Sequence, residues 1–354
     1  MEAVVFSFTA AGTELSLQIG AVLSEIGFDV SHETMRKFTG INPSVLRPFP
    51  LNIAESVRVA FRQADALIFV GAAGIAVRAI APCLRGKDKD PAVLVVDEKG
   101  EYVIPILSGH IGGANHMARY LAQELDGQAV ITTATDVNHL FAVDEWAARQ
   151  HLKLSSLADA KHFASALLER GQAGLYSEFP LEGEIPPSLV PAEEGPAGLA
   201  VTVSRLCHPF AVTVVARPSI VHIGIGCRLG MGADQIFQRV DDEMKQLNLS
   251  WDAVADISTI DIKKDEAGIT EFAQQHHLPV LYYTARQLND APGKFISSDF
   301  VRRIVGTDNV CERAAVLASH GGTLLLEKSG YDGVTVAIAC EKYVVQFSKK
   351  EDMP

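Results

Sequence analysis

Paired cysteines are absent from this chain. Cys83, Cys207, Cys227, Cys311 and Cys340 are scattered through 354 residues, with neither a C-x-x-C pair nor the spacing of a zinc site. That pattern excludes a legible disulfide framework or zinc ribbon, and no metal site is expected. An odd cysteine count fits a reducing compartment. The opening segment, MEAVVFSFTAAGTEL, lacks the basic start and apolar centre of a signal peptide, so a cytoplasmic protein is expected. No stretch approaches the roughly 20 apolar residues that span a bilayer, and no membrane attachment is expected. Basic residues are in deficit, 31 Lys and Arg against 43 Asp and Glu, for a formal charge of −12. This argues against a general nucleic-acid binder, which needs a basic surface, while leaving room for a local basic pocket. Catalytic signatures are missing too: there is no G-x-S-x-G and no H-E-x-x-H, and no short-period repeat is visible.

What is present reads as an ordinary globular chain, 48% apolar and 21% charged. A length of 354 residues suggests two or three domains. In the first part, short apolar runs alternate with helical periods. Ala3–Phe8 reads as a strand, and the helix after it places Leu15, Ile19, Val22, Leu23 and Ile26 on one face. A helix over Ile53–Ala64, strands at Ala66–Val70 and Ala92–Val96, a helical stripe from Ala114 to Leu125 and a strand at Ala129–Thr132 continue the alternation. A second such unit starts at about Pro218, with strands fitting Ile220–Ile225, Val254–Ile262, Val280–Tyr283, Thr323–Leu326 and Thr335–Ala339. Strand-then-helix repetition predicts an α/β protein with mostly parallel, Rossmann-like sheets. Phe141–Leu168 reads as helical, and Phe179–Gly198, rich in Pro, Gly and Glu, reads as a linker or long surface loop. The expected organisation is an N-terminal α/β domain over 1–145, a smaller middle region over 146–216 and a C-terminal α/β domain over 217–354.

Residues 105–116, PILSGHIGGANH, carry the densest chemistry. An apolar strand end delivers the hydroxyl of Ser108 and the imidazole of His110. Gly112 and Gly113 then open a helix and let a ligand approach the backbone. Free N–H groups in the first helical turn suit an anion. Parallel sheets bind ligands outside the carboxyl ends of their strands, where this turn and Gly71-Ala-Ala-Gly74 are expected. Ser108 reads as a binding or capping residue before a nucleophile. His110 reads as a general base, a carboxylate donor or a metal ligand. His116 is six residues on, the wrong spacing for zinc, and reads as a helix-surface residue. Asn115 belongs to the same loop. Ile131-Thr-Thr-Ala-Thr-Asp136 ends a strand with hydroxyls and a carboxylate, which reads either as a helix N-cap or as a site contribution from Thr133 and Asp136.

Gly224-Ile-Gly226-Cys-Arg-Leu-Gly230 is a second glycine turn. Its third glycine is displaced from the dinucleotide fingerprint, and the acids at the right distance, Asp241 to Glu243, sit inside a helix. An anion-binding turn of another kind fits better, with Arg228 able to grip a carboxylate. Cys227 reads as a packed small residue, Lys263 and Lys264 as a solvated loop or available cations, and Glu312 as surface or pocket.

Together these segments resemble the cobalt-precorrin-5A hydrolases, the CbiG family of cobalamin biosynthesis. The matching phrases are GAAGIAVRAIAPCLRGKDKDPAVLVVDEKGEYVIPILSGHIGGANHMARYLAQ, VITTATD, IGIGCRLG, STIDIKKDEAGI, VGTDNVCERAAVLAS and VTVAIA. They cover nearly the whole chain in the family's order, most thinly from about 146 to 216. Leu229 departs from the pattern, since the family more often continues with a second basic residue there. The resemblance implies a hydrolase that opens the δ-lactone of a cobalt-bearing, contracted tetrapyrrole and releases acetaldehyde. It implies no cofactor of the chain's own, because the cobalt travels with the substrate. His110 and Ser108 are the catalytic candidates it points to. Gly112, Gly113, Asn115, Thr133, Asp136, Gly224, Gly226, Arg228, Lys263 and Glu312 are the substrate-binding candidates. Partners expected are the tetrapyrrole itself, neighbouring pathway methyltransferases and a second copy in a homodimer. The competing readings are a corrinoid carrier without catalysis and an NAD-linked oxidoreductase.

Overall fold

The computed structural model describes residues 1–347 apart from Leu51, Lys87, Asp88, His110, Ile111 and His139. The chain divides into two compact units, Met1–Trp146 and a second beginning at Ala147.

The first unit carries strands β1 (Glu2–Ser7), β2 (Asp29–Thr34), β3 (Leu46–Pro48), β4 (Ala66–Val70), β5 (Ala92–Val96), β6 (Tyr102–Leu107) and β7 (Gln128–Ala129). Its helices are α1 (Ala10–Glu25), α2 (Ile53–Gln63), α3 (Ala73–Ile80), α4 (Ala114–Glu124), α5 (Ala134–Val137) and α6 (Val143–Arg149), within which the division between the units falls. The sheet order is β3-β2-β1-β4-β5-β6-β7. Every residue of β4 and β5 is buried, as expected of central parallel strands covered on both faces. Leu15, Ile19 and Leu23 of α1, with Met117, Ala118 and Leu121 of α4, pack on Val5, Ile68 and Leu94. On the other face Val57 and Phe61 of α2 and Ile80 of α3 meet Phe6, Leu67, Phe69 and Val95.

One pairing in this sheet is antiparallel. After β5 the Asp97 carboxylate accepts the N–H of Tyr102 at 2.6 Å and of Lys99 at 3.1 Å, and Gly100 takes a φ of +76°. The chain therefore turns back at once, and Val93 pairs with Leu107. The expectation that both glycine turns stand at the carboxyl ends of the strands is corrected here. Gly71 follows the carboxyl end of β4, whereas Ser108 lies at the amino end of β5. β7 runs parallel to β6 and brings Thr133 and Asp136 to the same edge as Ser108. The strand expected over Ala129–Thr132 is shorter, continuing past Ala129 only by the bond from Val130 N–H to the Val103 carbonyl.

The second unit holds two five-stranded sheets. One uses β8 (Lys153–Leu154), β9 (Ala173–Ser177), β11 (Leu189–Pro191), β12 (Gly195–Val201) and β13 (Phe210–Arg217), in the order β11-β9-β12-β13-β8 and covered by α7 (Leu157–Arg170). β10 (Leu181–Glu182) pairs with β19 (Val345–Gln346) near the end of the chain. The stretch 179–198, expected as a linker, thus contributes three strands. Gly198 helped conceal them: a Cβ there would come within 2.4 Å of the Phe210 ring, as one on Gly174 of β9 would at 2.3 Å, so the missing side chains are the space that ring fills.

The other sheet, β14 (Val221–Cys227), β15 (Val254–Ile260), β16 (Val280–Tyr283), β17 (Thr323–Tyr331) and β18 (Val334–Cys340), has the order β16-β15-β14-β18-β17. Ile236, Val240 and Met244 of α8 (Ala233–Gln246) and Phe272 of α9 (Ala267–Gln275) cover one face. After β16 come α10 (Ala285–Asn289), α11 (Asp299–Val305) and α12 (Cys311–Ala318), and α12 lies on the opposite face against β14. Among the described residues no helix is long and apolar enough to cross a membrane.

The closeness of α12 to β14 depends on Gly224, where a Cβ would sit 1.8 Å from the Cys311 carbonyl oxygen. Gly224→Ala is expected to reach or exceed the top of the ~1–3 kcal/mol range for overpacked cores. Gly230→Ala meets no atom within 4 Å but has a φ of +77°, so about 1 kcal/mol is expected there. Urea denaturation of the two variants checks the contrast, and equal midpoints would show that α12 shifts freely.

Candidate active site

The turn after β6 is braced from several sides. Ser108 has a φ of +57°, and its hydroxyl donates to the Asp90 carbonyl at 2.8 Å. The Asp90 carboxylate in turn accepts the N–H groups of Arg85 and Gly86 at 2.9 and 3.2 Å. A Cβ on Gly112 would come 2.4 Å from that of Ser108, and one on Gly109 would come 2.6 Å from Asn115 Oδ1. Only glycine lets the loop close this tightly. Gly113, with a φ of +77°, leads into α4 without a side-chain cap.

Two of the first-turn donors of α4, expected to be open to an anion, are taken. Ala114 N–H donates to the Ser108 carbonyl at 3.1 Å and Asn115 N–H to the Gly109 carbonyl at 2.9 Å. The loop curls back far enough to satisfy the helix with its own carbonyls. Among the described residues, the N–H groups of Gly112 and Gly113 have no partner. His110 lies outside the described residues. The proton of Ser108 is committed to a main-chain carbonyl, which fits the bracing role better than the nucleophilic one.

Asn115 ties the loop to the segment after β7. It is buried, and its amide nitrogen donates to Thr133 Oγ1 and Asp136 Oδ2, both at 3.0 Å. Arg119 pairs with the other oxygen of Asp136. Asn115, Thr133 and Asp136 are thus brought together as one network, and Thr133 accepts from Asn115 rather than capping α5. Arg119 and Asp90 escaped the reading of the sequence. Arg119 had a signal, since it stands at i+4 from Asn115 on one helical face. Asp90 had none, because its role is fixed by the antiparallel pairing of β5 and β6.

The opposite edge of this sheet is closed on itself. Ser7, Thr13 and Thr34, all buried, bond Oγ to Oγ1 at 3.1 Å and Oγ1 to Oγ1 at 2.9 Å.

In the second unit, the candidates around the Gly224 turn separate into one exposed group and several structural ones. Gly224 is buried beneath α12, which leaves no backbone approach for a phosphate there. Gly226 abuts Thr335, whose hydroxyl donates to the Gly226 carbonyl at 3.0 Å. Lys263 is paired with Glu266 at 2.7 Å, and Glu266 also accepts the Gly230 N–H at 2.7 Å. Glu312, 1% exposed, accepts the N–H groups of Ile296 at 2.8 Å and Lys328 at 2.6 Å, together with the Asn309 amide. Lys263 and Glu312 thus each hold a structural pairing. Arg228 keeps an exposed side chain, while its N–H is held by the Gly333 carbonyl at 2.9 Å. Burial pushes the Cys227 thiol up despite nearby Lys263, and it pushes Cys311 up to about 11. Neither is an activated nucleophile. Among the described residues no group of three or more His, Cys, Asp or Glu could hold a metal ion.

Residues 55–136 match the family described as Cobalamin synthesis G N-terminal, and residues 221–339 match Cobalamin synthesis G C-terminus. Asn115, Thr133 and Asp136 fall in the first match, and the Gly224 turn and Glu312 in the second. The chain is 34% identical over 346 residues to a cobalt-precorrin-5A hydrolase of Salmonella typhimurium, covering 94% of this chain and 96% of that one. It is 30% identical over 357 residues to a cobalt-precorrin-5A hydrolase of Priestia megaterium, covering 96% and 95%. To a probable cobalt-precorrin-5A hydrolase of Methanocaldococcus jannaschii it is 27% identical over 291 residues, covering 79% and 87%.

Two outcomes follow from the geometry. In a double-mutant cycle of Arg119→Met and Asp136→Asn, measured by chemical denaturation, a coupling of about 1–3 kcal/mol is expected; additive effects would show the pair to be energetically idle. At Glu266, burial favours the neutral acid, but the Lys263 ammonium and the Gly230 N–H outweigh it and hold the carboxyl below its ordinary value of 4.5. A depressed carboxyl stabilises the fold above its unfolded value and loses that contribution as pH falls through the folded one. Lys263→Met is therefore expected to lower the melting temperature at pH 7, with the gap from wild type narrowing below about pH 4. A gap independent of pH would show that the ion pair is not its source.

Proposed function

The chain belongs to the cobalamin synthesis G family, and from that premise we propose that it hydrolyses cobalt-precorrin-5A in the making of cobalamin. One observation carries the reading: the chain is 34% identical, across 94% of its length, to a protein of that name. In the proposed reaction water opens the δ-lactone of a contracted cobalt tetrapyrrole, and acetaldehyde departs to leave cobalt-precorrin-5B. The cobalt belongs to the substrate, and the proposal gives the chain no cofactor of its own. The reaction belongs in the cytoplasm, with neighbouring pathway methyltransferases supplying and consuming the ring.

His110 takes a proton from water as the water oxygen adds to the lactone carbonyl. The adjacent N–H groups of Gly112 and Gly113, without a partner among the described residues, receive the oxyanion. Collapse of the tetrahedral species breaks the ring C–O bond and frees an alkoxide. That oxygen becomes the aldehyde carbonyl as the neighbouring C–C bond breaks, and the electron pair passes into the macrocycle, which is then protonated. Ser108 and the network of Asn115, Thr133, Asp136 and Arg119 hold the loop in shape. In the second unit, the exposed Arg228 side chain is suited to gripping a carboxylate.

The test is anaerobic incubation with cobalt-precorrin-5A, following acetaldehyde and product mass together. His110→Ala is expected to slow release at least ~100-fold, and undiminished release would remove His110 from the chemistry. Ser108→Ala costs one neutral hydrogen bond of about 1 kcal/mol and should stay within roughly tenfold of wild type; a far larger loss would restore it as nucleophile. Wild-type binding of the ring without turnover would make the chain a carrier.

A further inference from the structure

The first unit's sheet carries a groove on the face covered by α2. Strand alternation sends Glu2 and Val4 of β1 to that face, together with Ser31 and Glu33 of β2, whose register partners are Val4 and Phe6. From α2, Val57 and Phe61 turn into the core beside Phe6. Next to them runs a row of small residues, Ser56, Ala60 and Ala64, spaced so that they share one helical face. Their short side chains do not fill the space over β1 and β2. The result is a cavity of about 440 Å³ lined by this row and by the strand residues Glu2, Val4 and Glu33. That volume lies in the roughly 300–1,000 Å³ range of small-molecule sites.

Two acceptors in the groove go unused. Ser56 is 3% exposed, and its hydroxyl has no hydrogen-bond partner. Glu33 Oε2 is buried and equally without one. Burial pushes the Glu33 carboxyl up, while the Ser56 hydroxyl beside it works the other way. Neighbouring buried polar groups that both stay unsatisfied mark the place of a donor that the chain does not supply. The charge around them is one-sided. Glu2, Glu33 and Glu55 line the groove, with no Lys, Arg or His among the described lining residues. Arg58 is committed to Glu55 at 2.6 Å. Arg47 stands opposite Glu33 on β3, yet its guanidinium reaches the Pro43 carbonyl at 3.5 Å instead. Glu2 and Glu33 are left without a cation among the described residues.

We propose that this groove binds a small aliphatic amine, whose ammonium meets the Glu33 carboxylate and the Ser56 hydroxyl while its alkyl chain lies along Val4, Val59 and Ala60. An ammonium brings three donors to two waiting acceptors, and it brings the positive charge that water lacks. A carboxylate or phosphate would be repelled by the three acids. The site lies wholly within the first unit and takes no part in the hydrolysis, so it stands or falls apart from that reading.

The test titrates the full chain with n-butylamine hydrochloride at neutral pH by calorimetry, with n-butanol as the uncharged counterpart. A Kd of about 1 mM is expected for the amine, and n-butanol should bind about tenfold or more weakly. Glu33→Gln keeps the size of the side chain and removes its charge, and should weaken the amine about tenfold or more. Ser56→Ala should weaken it about fivefold. Glu14→Gln, an exposed acid of α1, is the control and should leave Kd unchanged. Melting temperatures confirm that each variant is folded; should Glu33→Gln fail to fold, Ser56→Ala carries the comparison. A wild type that binds no amine overturns the proposal and leaves water as the occupant of the gap. Equal binding of n-butanol overturns it too, because the groove then reads only the alkyl chain. So does a Kd unchanged in both groove variants, because the amine is then held elsewhere.

Discussion

The Asp97 carboxylate, closing a turn that reverses the chain after β5, is the constraint on which the first unit's candidate site depends. Had β6 continued as another parallel strand, Ser108 would stand beside Gly71 at the carboxyl edge. Instead, two main-chain N–H groups drawn onto one side chain send the loop to the amino edge. There it meets Asp90 and, from the segment after β7, Thr133 and Asp136. At the carboxyl edge, the usual ligand site of such sheets, the hydroxyl groups of Ser7, Thr13 and Thr34 bond one another at the ends of β1 and β2.

The same economy marks the second unit. Glu312 suggests a ligand contact, yet it holds the main-chain N–H groups of Ile296 and Lys328, and Glu266 likewise holds that of Gly230. Buried polar groups of loops must be satisfied somewhere, and an acid with two oxygens can serve two segments at once. Lys263 then neutralises one of these acids. Arg228 keeps its side chain exposed.

Much of the fold was legible because periodicity reports burial. The runs at Ala66–Val70 and Ala92–Val96 are β-branched or apolar throughout and are buried throughout, and the stripe from Ala114 to Leu125 faces the core. The direction of a strand leaves no such trace, so β6 was placed at the wrong edge. Gly195-Pro-Ala-Gly198 looked like a loop because its glycines make room for a distant ring, Phe210. At the site, Asn115, Thr133 and Asp136 were legible as chemistry at a strand end and a helix start. The pairings of Lys263 and Glu312 were not legible, because residue type and loop position do not say whether a charge is already paired.

The loop between β6 and α4 sets two satisfied backbone amides beside two open ones. Ala114 and Asn115 are tied to Ser108 and Gly109, while the N–H groups of Gly112 and Gly113 have no partner among the described residues. In terms of amide hydrogen exchange, the first pair opens only when the loop itself unfolds, whereas the second trades its protons with solvent from the native state. Four consecutive residues thus hold a slow and a fast clock side by side. An anion seated at the glycines slows the fast clock and leaves the slow one alone, so the backbone itself records whether that place is filled.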